Sequence, residues 1–148
     1  MKRLHDLLDD VRAKEIIGGN PTIATLEYDS RRIENGSCFF AVAGTASDGH
    51  NYIPAAIERG AVAVGCQQLP TELNHDVTYV VVEDSNVAMA AMAAAFYDHP
   101  TEELKLVGVT GTNGKTTTAT LLYDMFMAMG YKAGLISTVI YRIGERSI

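Results

Sequence analysis

The sequence predicts an α/β fold, and three observations carry that expectation. Short apolar runs of strand character alternate with segments whose apolar residues recur at helical spacing. Turn signals (Asn35-Gly36, Gly60, His99-Pro100 and Gly130) separate them. The composition, 47% hydrophobic and 20% charged over 148 residues, suits a chain that builds its core without disulfide or metal staples.

Taken in order, Leu4, Leu7, Leu8 and Val11 make an acidic amphipathic start, a short helix or helical turn. Ile23–Tyr28 alternates like a strand and runs into Asp29-Ser30-Arg31-Arg32. Asn35-Gly36 is a tight-turn dipeptide, and Ser37–Val42 after it reads as a buried strand. Gly44-Thr45-Ala46-Ser47-Asp48-Gly49 is a polar loop closed by glycines. Ile53, Ala56 and Ile57, stopped at Gly60, fit a helix that tolerates Pro54 in its first turn. Ala61–Cys66 and Val77–Val82 are two further buried strands. Ser85 is expected to cap an alanine-rich helix with Met89, Met92 and Phe96 on its core face, ended by His99-Pro100.

A second pattern starts after the polar stretch Thr101–Lys105. Leu106–Val109 reads as a short apolar strand, Gly111–Thr117 as a glycine-bearing turn, and Lys115–Met129 as a helix. Leu121, Leu122, Met125, Phe126 and Met129 share one side of that helix, Gly130 stops it, and Lys132–Val139 is another strand. The boundary near residues 98–103 divides the chain into 1–100 and 101–148. A strand, a helix and a strand cannot cover both faces of a parallel sheet. The second unit is therefore expected to expose apolar surface, as the start of a longer domain, and to self-associate through its truncated sheet.

Charge and composition narrow the function. Seven basic face fourteen acidic residues before Thr101, and five face four after it. An acidic surface repels a phosphate backbone, which excludes general nucleic-acid binding but not one nucleotide at a local site. No apolar run approaches the ~20 residues of a membrane span, and the start lacks the apolar stretch of a signal peptide. Cys38 and Cys66 sit in strand-like apolar runs and read as reduced core residues, so a cytoplasmic protein is expected. His5, His75 and His99 have no metal-ligand spacing.

The most informative stretch is Val109-Thr110-Gly111-Thr112-Asn113-Gly114-Lys115-Thr116-Thr117. Its end, Gly114-Lys115-Thr116, has the composition of a phosphate-binding loop entering a helix. Glycines let successive backbone N–H groups turn inward, and the helix N-terminus adds unpaired donors and a positive dipole end. Lys115 can reach the β- and γ-phosphates of ATP, and the Thr116 hydroxyl can ligate Mg²⁺. The general pattern wants glycine where this chain has Val109, so the loop is a variant form.

That variant, Gly111-Thr112-Asn113-Gly114-Lys115-Thr116-Thr117 after Val107-Gly108-Val109-Thr110, resembles the ATP loop of the Mur ligases. These are the ATP-dependent amino-acid ligases of bacterial peptidoglycan synthesis. Asp29-Ser30-Arg31, Asn35–Gly44, and Asp48-Gly49-His50-Asn51-Tyr52-Ile53 are similar to the UDP-binding domain of one branch. That branch adds the third residue to UDP-N-acetylmuramoyl-L-alanyl-D-glutamate, either L-lysine or meso-diaminopimelate. The D-alanyl-D-alanine-adding branch usually has serine where this chain has Thr112. Folylpolyglutamate synthases usually have Gly-Ser where it has Thr116-Thr117.

The resemblance implies a small UDP-sugar-binding α/β domain followed by the first strand–loop–helix–strand unit of an ATPase domain. It implies that Gly111 to Thr117 hold ATP, with Lys115 and Thr116 catalytic and Thr116 on Mg²⁺. It also implies uridine-nucleotide contacts from Tyr28, Ser30, Thr45, Ala46 and Ser47. From the residues alone, Ser30 reads as a strand-end turn and residues 44–49 as a surface connection. Asp29 and Arg31 are expected to brace their element as an ion pair. His50 is expected either in the same pocket or in solvent. The implied partners are small molecules, the UDP-N-acetylmuramoyl-dipeptide and an amino acid, with no membrane.

Overall fold

The computed structural model describes every residue except Thr45, Ala46, Glu145 and Ile148, and the structural statements below concern the described residues. The chain forms two compact units, Met1–Leu104 and Lys105–Ile148.

The first unit is built on a five-stranded sheet of β2 (Ala13–Ile17), β7 (Thr78–Val82), β6 (Ala61–Cys66), β5 (Ser37–Phe40) and β4 (Thr25–Glu27), in that spatial order. β4, β5, β6 and β7 run parallel, and β2 is antiparallel to β7 at one edge. Side-chain alternation sends successive residues of the central strands to opposite faces, and both faces are covered. Cys38, Phe40, Ala63, Val80 and Val82 pack on one side with Leu4, Leu7, Ala88 and Met92. Phe39, Val64, Cys66 and Tyr79 pack on the other with Ile33, Ile53 and Ala56. The first cluster draws on α2 (Ser85–Phe96) and a 3₁₀ turn at His5–Leu7; the second draws on α1 (Ile53–Glu58). A two-stranded ribbon of β1 (Lys2–Arg3) and β3 (Thr22–Ile23) lies beside this sheet in sequence.

Both cysteines are buried and unpaired. Burial pushes the Cys38 thiol up to about 12 and the Cys66 thiol up to about 11, so neither forms a thiolate near neutrality. The helical start is only the His5–Leu7 turn. The cap of α2 is Asp84 rather than Ser85: its carboxylate accepts the N–H groups of Asn86 (2.8 Å) and Val87 (3.3 Å). A carboxylate one residue earlier reaches the second and third helical amides, the geometry capping requires. Ser85 instead points inward, fully buried. Helix α2 ends at Phe96, three residues before His99, and Asp98 and His99 take left-handed conformations (φ 60° and 49°) ahead of Pro100.

The second unit contains α3 (Lys115–Ala128) and an antiparallel sheet of β8 (Gly134–Ile136), β9 (Tyr141–Ile143) and β10 (Arg146–Ser147). Two expectations are corrected here. Leu106–Val109 is not a strand, because no neighbouring strand among the described residues offers it a hydrogen-bond ladder. The expected strand Lys132–Val139 contracts to Gly134–Ile136, because Ser137 turns the chain back. Its Oγ accepts the Val139 and Ile140 N–H groups and donates to the Ile140 carbonyl, closing a hairpin into β9. Only Tyr123 and Leu135 are buried in this unit. Leu106, Leu121, Ile136, Val139 and Ile143 are each at least 64% exposed, so the expected uncovered apolar surface is present.

Candidate functional site

The phosphate-loop residues form a bend ahead of α3. Gly111 (φ +149°) and Gly114 (φ +78°) adopt backbone conformations that L side chains rarely take, and a Cβ on Gly114 would meet nothing within 4 Å. Glycine at 114 is therefore a conformational requirement, not a packing one. Gly114 is the N-cap residue of α3 and supplies no side-chain cap, while its carbonyl accepts the Thr118 N–H at 2.9 Å. The first helical amides, those of Lys115, Thr116 and Thr117, thus lie at the positive end of a 14-residue helix without a side-chain acceptor on the cap.

Lys115 folds back over the bend. Its Nζ donates to the Gly111 carbonyl at 2.5 Å and points at the Thr112 carbonyl from 3.4 Å. The cation is thereby held against the Gly111 and Thr112 carbonyls, close to the start of α3, where a polyphosphate would gain from it. Gly111 to Lys115 and Thr117 are exposed and Thr116 is partly exposed, so all are open to a ligand. Among the described residues no group of three His, Cys, Asp or Glu side chains is arranged to hold a metal. A cation here would rest on the Thr116 hydroxyl and phosphate oxygens, the donor set that suits Mg²⁺.

The second set of residues lies in the first unit. β4 and β5 are parallel neighbours, so Tyr28 and Ala41 leave the sheet on the same edge, the carboxyl edge at which open α/β sheets bind ligands. Tyr28 is 64% exposed there. Ser30 opens a 3₁₀ turn (Ser30–Arg32) capped by Asp29, which accepts the Arg31 N–H at 3.0 Å. Asp29 also holds the Arg31 guanidinium through Oδ1 (2.9 Å to Nε) and Oδ2 (2.7 Å to Nη2). The side-chain bond to Arg31, followed by the backbone bond, lowers the Asp29 carboxyl to about 2. Arg59 donates to the Arg31 carbonyl at 3.0 Å, pinning this turn to the end of α1. The Asp29–Arg31 pair is the brace expected of it.

Ser47 is exposed on the β5 loop, where its carbonyl accepts the Gly44 N–H at 3.0 Å. Thr45 and Ala46 lie outside the described residues. Two open depressions of about 360 and 410 Å³ are lined instead by residues of α1 and of 69–74, with His50 in the second. Tyr28, Ser30 and Ser47 line neither. His50 is not a solvent-facing residue: its side chain is 17% exposed and bonded on both ring nitrogens, to Asp48 and to the Gln67 amide. The spacing Asp48-x-His50 was the available signal, but Gln67 is seventeen residues on, and its approach depends on β5 and β6 being neighbours.

Comparison with known proteins gives the same two divisions a common parentage. Residues 22–97 match the family model described as Mur ligase family, catalytic domain, and residues 109–148 match Mur ligase middle domain. Among curated proteins, the UDP-N-acetylmuramoyl-L-alanyl-D-glutamate--2,6-diaminopimelate ligases of Bacteroides fragilis and Phocaeicola vulgatus are 49% and 50% identical over 147 residues. That alignment takes in 99% of this chain and 30% of each relative, so the chain spans under a third of their length. Among solved structures, a UDP-N-acetylmuramoyl-L-alanyl-D-glutamate--2,6-diaminopimelate ligase matches with TM-score 0.66 at 24% identity, over 84% of this chain and 26% of that one. The MurF ligase of Thermotoga maritima, solved in complex with ADP, matches with TM-score 0.55 at 28% identity, over 70% of this chain and 23% of that one.

Proposed function

Because the chain belongs to the Mur ligase family, we propose that it is the nucleotide-handling portion of an ATP-dependent ligase. The reaction it serves adds diaminopimelate to UDP-N-acetylmuramoyl-L-alanyl-D-glutamate, as the names of its relatives at about half identity suggest. Residues 1–100 would seat the uridine nucleotide and residues 101–148 would begin the ATP-binding domain. The observation that carries the reading is the bend at Gly111–Gly114, which leaves the first amides of α3 without a side-chain cap and holds the Lys115 ammonium against the Gly111 carbonyl.

In such a ligase the free carboxylate of the dipeptide would take the γ-phosphoryl group of ATP with release of ADP, and the amine of the incoming amino acid would then displace phosphate, losing a proton, to form the amide. ATP bound with Mg²⁺ supplies that phosphoryl group. The chain's own share is positioning and charge. The amides of Lys115 to Thr117 bind phosphate oxygens, and Lys115 exchanges its loop carbonyls for the anion and offsets charge during transfer. The Thr116 hydroxyl is the group placed to hold the cation. Tyr28, Ser30, Thr45, Ala46 and Ser47 would contact the uridine nucleotide, by aromatic stacking and by short polar groups on the phosphate oxygens.

Isothermal titration of this chain with UDP-N-acetylmuramoyl-L-alanyl-D-glutamate and, separately, with MgATP tests the reading. Heat is expected with both, and Lys115→Ala should weaken MgATP at least about tenfold, since a charged partner is worth roughly 1.5–3 kcal/mol. A Lys115→Ala chain that bound MgATP as tightly as the parent would overturn the lysine's role. The apolar residues left exposed by the second unit also support self-association of this chain. Sedimentation should then show mass rising with concentration, and an unchanging monomer would dismiss it.

A further inference from the structure

The proposed function leaves one well-tied side chain unused: the imidazole of His50. The backbone N–H of Gln67, where the chain leaves β6, donates to His50 Nε2 at 3.0 Å, and that of Gln68 points at the same nitrogen from 3.4 Å. A ring nitrogen that accepts an amide N–H carries no proton, which puts the ring proton on Nδ1. There it is donated to Asp48 Oδ1, 2.6 Å away. The same oxygen accepts the His50 backbone N–H at 2.9 Å, and these two bonds, the backbone one foremost, hold the Asp48 carboxyl below its ordinary value. Gln67 carries the chain of bonds onward, its side-chain amide donating to the Glu83 carbonyl at 3.1 Å beyond β7. His50 therefore links the loop after β5 to the exit of β6, and Gln67 extends the link to the exit of β7.

The loop that bears Ser47 stands on this point. Ala43 and Asp48 pair across its neck, the Gly44 N–H is donated to the Ser47 carbonyl, and the Gly49 N–H to the Val42 carbonyl at 2.8 Å. The two sides of the neck are so close that a Cβ on Gly49 would fall 2.6 Å from the Val42 nitrogen. A neck this tightly closed presents Ser47 in a direction set by its base. The base is fastened to the rest of the sheet edge through His50.

We infer that His50 is a positioning residue for the uridine-nucleotide site, acting through Nε2 as the acceptor that ties the Ser47 loop to the exit of β6. The inference rests on the proposed role of Ser47 as a nucleotide contact. His50 need not touch the ligand; without it the base of the loop would be fixed against the exit of β6 only as the ligand binds, and affinity would fall by the cost of that ordering. The acceptor, not the ring, is what matters. Glutamine can place an amide oxygen near the position of Nε2, whereas alanine cannot.

The test titrates UDP-N-acetylmuramoyl-L-alanyl-D-glutamate into the parent chain, His50→Ala and His50→Gln, with MgATP as a parallel titrant. His50→Ala should bind the sugar nucleotide about three- to tenfold more weakly, the range of one net hydrogen bond, with MgATP affinity unchanged. His50→Gln should restore the parent's affinity, a rescue that a general loss of packing would not permit. Parent-like affinity in His50→Ala, or an equal loss in both variants, overturns the inference. A parent chain that takes up no sugar nucleotide overturns the functional reading beneath it. Amide exchange at Gln67, faster in His50→Ala and protected in the parent, identifies that second failure by showing the brace intact.

Discussion

The Asp29 carboxylate lies between the Arg31 amide and the Arg31 guanidinium, and both contacts favour its charged form. Its folded value, about 2, lies below the 3.8 of the free side chain. The sign of the linkage follows. Unfolding releases a carboxylate that binds a proton more readily, so the contribution is complete above pH 3.8 and is lost as the pH falls from there toward about 2. Asp48, held by His50, and Asp98, held by the Lys2 ammonium at 2.5 Å, are lowered in the same direction. Asp29→Asn should accordingly reduce the slope of melting temperature against pH between about 4 and 2 without abolishing it, while leaving the slope above pH 5 unchanged. Melts of both chains across that range check this. An identical slope would mean that the Asp29–Arg31 pair is equally formed in the unfolded chain.

Elements show where sequence patterns were sufficient and where they were not. β5, β6, β7, α1 and α3 fall where apolar periodicity and glycine stops place them, because each depends on local spacing and on burial of an evident face. Leu106–Val109 is equally apolar, yet a strand is a relation between two chains and the pattern names only one of them. The bend at Gly111–Gly114 was legible from glycine spacing. The His50 brace was not, since its second partner arrives from another strand. At the start of α2 the pattern pointed to Ser85 as the cap, and the geometry gives that role to Asp84. Ser85 Oγ is buried with no hydrogen-bond partner, a desolvated hydroxyl with nothing to offset its loss of water. Two substitutions one residue apart should thus diverge. Asp84→Ala removes the acceptor of two helix amides and should destabilise by about 1 kcal/mol. Ser85→Ala should be neutral or stabilising by roughly 0.5–1 kcal/mol. Urea denaturation of the pair decides it, and a Ser85→Ala loss as large as that of Asp84→Ala would mean the hydroxyl has a partner in solution.

Across the whole chain, burial is divided unevenly between the units. Met1–Leu104 surrounds its sheet on both faces, whereas Lys105–Ile148 buries only Tyr123 and Leu135 among its described residues. Stability follows buried apolar area, so the two should not open together. Phe40 is the sharpest probe. It is fully buried in β5, and its ring lies 2.8 Å from where a Cβ on Gly65 would stand, so glycine on β6 makes room for it. Phe40→Ala leaves a void on the face of the sheet that packs with Ala88 and Met92 of α2, and the parallel ladders on either side of β5 limit how far the site can collapse. A loss of about 3–5 kcal/mol is expected. Amide exchange read residue by residue should show that loss over the strands of the first unit, while α3 and β8–β9, already exchanging faster, keep their parent rates. Equal acceleration in α3 would mean that the two units open as one cooperative body.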